Sequence, residues 1–318
     1  KTRKELNPNA KFGFVGMMEF KTIEECCTIL DSQRIPITAK NRIAGCYPYY
    51  GANGVQDYVS DYIFDDELVL LAEDGGNFGS KSRPIAYRVS GKCWVNNHAH
   101  VLKPKENLNV DYLCYSLMFY DTNNLVNGAT RKKLTQSTMR QMKIPYLNIK
   151  DQLKIVKKLK KIEEMMQNYR NQINLLDELV KARFVEMFGD PIINDKGLIT
   201  ELLANVSNLK AGKAIKTGEL SENNDTNSLF PCFGGNGIRG YINRYTHDGT
   251  FPIIGRQGAL SGNVNFAKGK FYATEHAIVV TPKVELDDTW FFYCLKYLDL
   301  KRFQTGAAQP GVSVEKLN

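Results

Sequence analysis

Residues able to do covalent or acid–base chemistry are few and scattered in this 318-residue chain. Seven cysteines (Cys26, Cys27, Cys46, Cys93, Cys114, Cys232 and Cys294) contain no CxxC pair. Neither a zinc site nor a disulfide framework is expected from that spacing, and they read as buried thiols. His98 and His276 have no cluster of carboxylates or cysteines at ligand spacing beside both of them. Each is therefore expected to order a strand-edge loop rather than to bind metal or act as a general base. The stretch Glu73-Asp74-Gly75-Gly76-Asn77-Phe78-Gly79-Ser80-Lys81 superficially suggests a phosphate cradle, but Ser80 stands where the P-loop lysine should follow the glycine. Methyl transfer to a base would require a glycine-rich cofactor loop and an acidic or Asn-Pro-Pro segment carrying an aromatic, and neither is present. A nuclease would require clustered carboxylates for metal, and no such cluster is shared between the two halves of the chain. No catalytic residue and no metal ligand is predicted.

The elements that position the remaining polar loops are organised by an internal repeat. Tyr47-Pro48-Tyr49-Tyr50-Gly51-Ala52-Asn53-Gly54-Val55-Gln56-Asp57-Tyr58 recurs as Phe230-Pro231-Cys232-Phe233-Gly234-Gly235-Asn236-Gly237-Ile238-Arg239-Gly240-Tyr241, with five of twelve positions identical and three conservative. The same offset of 183 aligns Leu70 with Ile253 and Gly75 with Gly258. At an offset of 178, Asn97-His98-Ala99 meets Glu275-His276-Ala277, Pro104 meets Pro282, and Gly128-Ala129 meets Gly306-Ala307. A period this long exceeds those of solenoids and propellers, so it marks two copies of a whole domain. Each copy predicts short strands between tight turns: Leu68–Ala72, Ile85–Val89 and Ala99–Leu102, then Phe271–Tyr272 and Ala277–Thr281. Apolar residues at helical spacing predict one helix late in each copy, over Asp111–Phe119 and Asp288–Leu298.

Between the copies the texture changes. From Asp151 to Met187 there is no Gly or Pro, and Ile155, Leu159, Ile162, Met166, Tyr169, Ile173, Leu176 and Val180 alternate in steps of four and three. That is a heptad seam, extended by Phe184, and it predicts one helix of roughly 55 Å that needs a second long helix as partner. Gly189-Asp190-Pro191 supplies the stop. Lys154, Lys157, Lys158, Lys160 and Lys161 decorate its first half. They read individually as a solvated face, with a phosphate-facing stripe as the alternative.

The net charge of +8 is spread along the chain and densest in this middle stretch, which is compatible with a polyanionic partner. No apolar run is long enough to span a bilayer, and the first twenty residues do not read as a secretory signal. A cytoplasmic location is the expectation. The fold class predicted is α+β, with two similar β-rich domains (20–149 and 191–318) joined by a coiled-coil-forming helical spacer (150–190). Residues 1–19 form an N-terminal extension of no assigned role.

The string Arg183-Phe184-Val185-Glu186-Met187-Phe188-Gly189-Asp190-Pro191 closing a long helix, together with the duplicated Pro-x-(Tyr/Phe)-Gly-x-Asn-Gly element, resembles the specificity subunit of type I restriction–modification systems. The resemblance implies that each domain is a target-recognition domain reading one half of a split, asymmetric site in double-stranded DNA, and that the chain itself is non-catalytic. It implies methyltransferase subunits bound to the helices and nuclease–translocase subunits joining them. The cofactors S-adenosylmethionine, ATP and magnesium are expected on those partners and none on this chain. Members of that family usually carry a second long helix after the second domain, whereas the present sequence ends at Asn318. Self-association through the central helix is a further expectation.

Under that resemblance the repeated loops become DNA contacts. Asn53 and Asn236 sit on Asn-Gly turns that suit adenine but are read first as structural. Asn77, Ser80 and Lys81 in the first copy correspond to a loop bearing Arg256 and Gln257, side chains matched to guanine and adenine. Asn97, His98 and His276 lie on another repeated turn. Thr130, Arg131, Lys132 and Lys133 suit phosphates, and Gln309 occupies the matching loop of the second copy. The rival reading is a two-headed scaffold that binds a protein or another ligand instead of DNA.

Overall fold

The computed structural model describes residues 19–128, 131–224, 229–306 and 310–317. The chain divides into two compact units at a point within the central helix, one ending at Tyr169 and the other beginning at Arg170. The first unit contains β1 (Phe20–Thr22), α1 (Ile23–Cys26), β2 (Cys27–Ile29), β3 (Ala44–Gly51), β4 (Gly54–Val59), β5 (Phe64–Ala72), β6 (Ala86–Val95), β7 (Ala99–Pro104), α2 (Val110–Met118), α3 (Gln136–Arg140), β8 (Lys143–Pro145) and the start of α4 (Ile149–Phe188). The second contains the remainder of α4, then α5 (Leu203–Val206), β9 (Ser207–Ala211), β10 (Phe230–Gly234), β11 (Gly237–Ile242), β12 (His247–Gly255), β13 (Val264–Ala273), β14 (Ala277–Pro282), α6 (Asp288–Tyr297) and α7 (Val314–Leu317).

Each unit is built on a six-stranded sheet, and the two sheets have the same order: β2-β7-β5-β6-β3-β4 and β9-β14-β12-β13-β10-β11. All neighbours are antiparallel except one parallel pair in each sheet, Tyr49↔Trp94 with Tyr50↔Val95, and Cys232↔Tyr272 with Phe233↔Ala273. Even the register slip recurs, between Tyr49 and Tyr50 and between Cys232 and Phe233. The change of offset along the repeat has a local cause. The loop from β5 to β6 runs over thirteen residues (73–85), whereas that from β12 to β13 has eight (256–263).

The second half of the central strand β5, residues 68–72, is an unbroken apolar run because both faces of the sheet are covered there. Val69 and Leu71 point into a core shared with Leu113 and Leu117 of α2, and Leu68 and Leu70 into a second core with Val89, Val95 and Val101. In the second unit Ile254 faces Phe291 and Leu295 of α6, while Ile253 faces Phe233 and Phe271. Burying each such side chain is worth about 1.5–3 kcal/mol. Both covering helices start on short polar caps: Asn109 accepts the Tyr112 N–H at 3.0 Å and Asp287 the Trp290 N–H at 2.7 Å.

α4 is 40 residues long. Asn148 accepts the Asp151 N–H at its start, and Gly189, at φ 83°, ends it with its N–H on Val185 O at 2.8 Å. Its first turns are plugged into the first unit by Gln152, which is fully buried, accepts the Asn109 N–H and donates to Asn107 O and Leu147 O. Val156 is buried in that core and Ile155 is packed against it. At the other end Phe184 is buried among Phe188, Tyr293 and Tyr297, with centroids 5.1, 6.2 and 5.3 Å away. The predicted seam is therefore divided. Ile155 and Phe184 serve the units they belong to, Leu159 is half-buried, and Ile162, Met166, Tyr169, Ile173, Leu176 and Val180 are exposed. Cys46 is also exposed and Cys294 half-buried, which corrects the expectation that all seven thiols are buried. Cys46 lies in the irregular stretch of β3 between Ala44 and Tyr47, where side-chain alternation fails.

Candidate nucleic-acid interface

Loops that are distant in sequence close on one another in each unit by the same backbone bonds. In the first, Glu73 N–H donates to His98 O (2.8 Å), Leu134 N–H to Glu73 O (2.7 Å) and Gly75 N–H to Lys132 O (3.1 Å). In the second, Arg256 N–H donates to His276 O (2.8 Å), Val312 N–H to Arg256 O (2.8 Å) and Gly258 N–H to Pro310 O (2.9 Å). One frame thus presents different side chains. Glu73 and Asp74 stand where the second unit has Arg256 and Gln257, and both Asp74 and Gln257 make the matching β-bridge, to Lys133 and Gly311.

In the first unit this frame gathers Asn53, His98, Arg131, Lys132 and Lys133. Asn53 Nδ2 donates to Gly75 O at 3.0 Å, so its amide holds the neighbouring loop, as the structural reading of the Asn-Gly turn expects. Asp74 Oδ1 lies 2.6 Å from Arg131 Nε, and its Oδ2 lies 3.5 Å from His98 Nδ1. Asn97 is exposed on the same turn as His98. Asn77 and Ser80 are engaged within their own loop instead. Asn77 Nδ2 donates to Pro84 O, and Ser80 Oγ accepts the N–H groups of Ser82 and Arg83. Lys81 is exposed on that loop. Thr130 and Gln309 lie outside the described residues.

In the second unit Asn236, Arg256, Gln257 and His276 line one concavity of about 830 Å³, together with Arg239, Thr305 and Ser313. Arg256 Nη1 is tied to Glu275 O at 3.3 Å, His276 Nε2 sits 3.2 Å from Glu275 Oε1, and Asn236 Oδ1 accepts from Asn263 Nδ2 at 3.0 Å. In the sequence Arg239 stands out only as a member of the repeated stretch. Its +2 spacing from Gly237 puts it beyond the turn, and only the folded hairpin brings it to the groove.

Behind the loops of the first unit lies a buried charged network that the sequence did not reveal. His100 Nδ1 is 2.6 Å from Asp31 Oδ2, and its Nε2 is 3.0 Å from Leu134 O. Arg34 bridges Glu73 (2.7 Å) and Asp31 (3.5 Å), Lys133 reaches Glu73 (3.2 Å), and Gln136 Nε2 donates to Asp31 at 2.9 Å. Burial alone would raise the Asp31 carboxyl, but the hydrogen bonds and charge of His100, with Gln136 and the Val101 N–H, outweigh it and hold it low. Asp31, Glu73 and His100 bring one ligand atom each within 4.8 Å of one another. Arg34 and Lys133 already neutralise these carboxylates, so the donor set is that of an ion network and a metal ion would have to displace the guanidinium. In the second unit Ile278 stands at the His100 position, paired with Ala211, and among the described residues no charged side chain is buried there. Lys154, Lys157, Lys158, Lys160 and Lys161 divide as well: Lys154 pairs with Asp151 and Lys160 with Asp111, each within 2.8 Å.

A β-rich head built twice on one topology, with loops of differing polarity closed by one backbone frame and a long helix shared between the copies, defines an internally duplicated two-headed protein. The profile of the family described as Type I restriction modification DNA specificity domain matches residues 16–176 and 202–318. The chain belongs to that family. It is 44% identical over 115 residues to the type I restriction enzyme EcoprrI specificity subunit of Escherichia coli, an alignment covering 36% of this chain and 29% of that one. It is 39% identical over 140 residues to the putative type I restriction enzyme specificity subunit S.HindORF215P of Haemophilus influenzae, covering 44% and 36%. The chain thus aligns with about a third of the length of these curated relatives. The S subunit of the type-I restriction-modification system from M. genitalium shares its fold, with a TM-score of 0.54 at 16% identity over 99% of this chain and 84% of that one. Among the described residues no helix is long and apolar enough to cross a membrane.

Proposed function

We propose that this chain reads DNA sequence for a type I restriction–modification complex, each unit taking one half of a bipartite, asymmetric site in double-stranded DNA. The observation that carries this reading is the pair of loop clusters, identical in backbone closure yet bearing Glu73 and Asp74 in one unit and Arg256 and Gln257 in the other. Conserved geometry with exchanged hydrogen-bonding groups is what two heads reading different base sequences require, because the groove edge of each base pair presents its own donors and acceptors. The chain acts as a non-catalytic subunit in the cytoplasm. Methyltransferase and nuclease–translocase subunits assemble with it and bring S-adenosylmethionine, ATP and magnesium. The exposed apolar stretch of α4, from Ile162 to Val180, is the surface offered to a partner helix.

A titration of the chain with its methyltransferase partners against duplex DNA at several salt concentrations tests the reading. Affinity should fall linearly on a log–log scale as counterions are released from the contacted phosphates. A scaffold that recognises protein or another ligand would bind no duplex at any salt concentration, and that result would overturn the proposal.

A further inference from the structure

We propose that Arg131, braced by Asp74, reads a guanine in the half-site taken by the first unit, a proposal that rests on the DNA-recognition reading above. The bracing determines what the guanidinium is able to contact. Asp74 Oδ1 forms an ion pair with Arg131 on the Nε side, at 2.6 Å, and the two terminal nitrogens have no partner among the described residues on a side chain that is 59% exposed. Such a fork matches the O6 and N7 acceptors of guanine bidentately.

Asp74 is itself fixed. Its other oxygen faces His98 Nδ1, its N–H donates to His98 O at 3.3 Å, and it bridges Lys133. The guanidinium lies across Gly75, where φ is +69° and an added Cβ would stand 3.1 Å from Arg131 Nε. Asn53 Nδ2 donates to the Gly75 carbonyl at 3.0 Å. The side chain is thus preorganised, so less rotamer freedom is lost on contact than for an unrestrained arginine.

The carboxylate also decides between base and phosphate. A phosphate beside Arg131 would lie close to Asp74 and be repelled by it, whereas the guanine edge offers acceptors without net charge. Arg131 therefore departs from the phosphate contact that three consecutive cations suggest, and Lys132, exposed beside it, is better placed for the backbone. In the second unit Gln257 occupies the Asp74 position, so the same brace is absent there and a different base is read.

The test uses the complete complex on its own target, mapped by methylation, with Arg131→Lys and Asp74→Asn variants. Each guanine of the half-site is replaced in turn by 7-deazaguanine, which lacks the N7 acceptor. The parent complex should lose affinity about 5- to 100-fold at one guanine of the first unit's half-site. Arg131→Lys should lose discrimination at that position alone, keep its response at all others, and retain the salt dependence, because the charge is unchanged. Asp74→Asn should weaken the same discrimination. A first half-site without guanine, or an Arg131→Lys complex that discriminates as the parent does at every position, overturns the proposal. If the parent complex shows no base preference anywhere, the DNA-recognition reading itself has failed.

Discussion

Asp31 lies almost completely out of solvent, yet it gathers hydrogen bonds from His100, Gln136 and the Val101 N–H, with the Arg34 guanidinium alongside. Removing the charge leaves buried donors unmatched, a loss of roughly 3 kcal/mol for a broken buried pair. Because its folded-state carboxyl is held below its unfolded value, its contribution is complete above about pH 4 and is lost as pH falls through the lower, folded value. Asp31→Asn should therefore unfold well before the parent at pH 7, and the gap in chemical denaturation should narrow on going to pH 2–3. A gap that stays constant with pH would mean the carboxylate is not the stabilising form. None of this was legible in the sequence. His100 stands inside an apolar strand, and its partners Asp31 and Leu134 are 69 and 34 residues away, so no spacing could announce them. The Asn-Gly turns were legible, since their conformation is local: Gly54 and Gly237 have φ of 109° and 89°.

At the level of elements the repeat was readable because hydrophobic alternation and turn residues are encoded strand by strand. The helix over 151–187 was readable for the same reason, and it extends by one turn or less beyond those limits. What covers its apolar face was not readable. Periodicity places Ile155, Ile173 and Phe184 on one seam, but only the fold shows that the first and last are consumed by the units at which the helix begins and ends. The two classes of position should respond differently. Phe184→Ala should cost the second unit about 3 kcal/mol, as expected for emptying an aromatic site. Leu176→Glu should leave the chain's stability within about 0.5 kcal/mol. The same variant should weaken assembly with the methyltransferase subunits at least about tenfold in sedimentation. Equal losses of stability in the two variants would contradict this division of the seam.

For the whole molecule, the duplication puts one frame twice on a single chain, and under the proposed function the two copies take two unlike half-sites. The sheet order, the parallel strand pair and the backbone closure of the loops are held constant, while the side chains on the closure change sign and shape. The five extra residues between β5 and β6 are accommodated in a loop, where added length has little effect on the core. Modularity follows from this construction, because each sheet has its own cores and each unit closes its own loops. The most direct measurement is methylation mapping in cells that carry the complete complex after residues 20–149 have been exchanged for the first head of a relative with another target. One half of the methylated sequence should change to the donor's and the other half should persist. A target left entirely unchanged, or altered in both halves, would contradict the account.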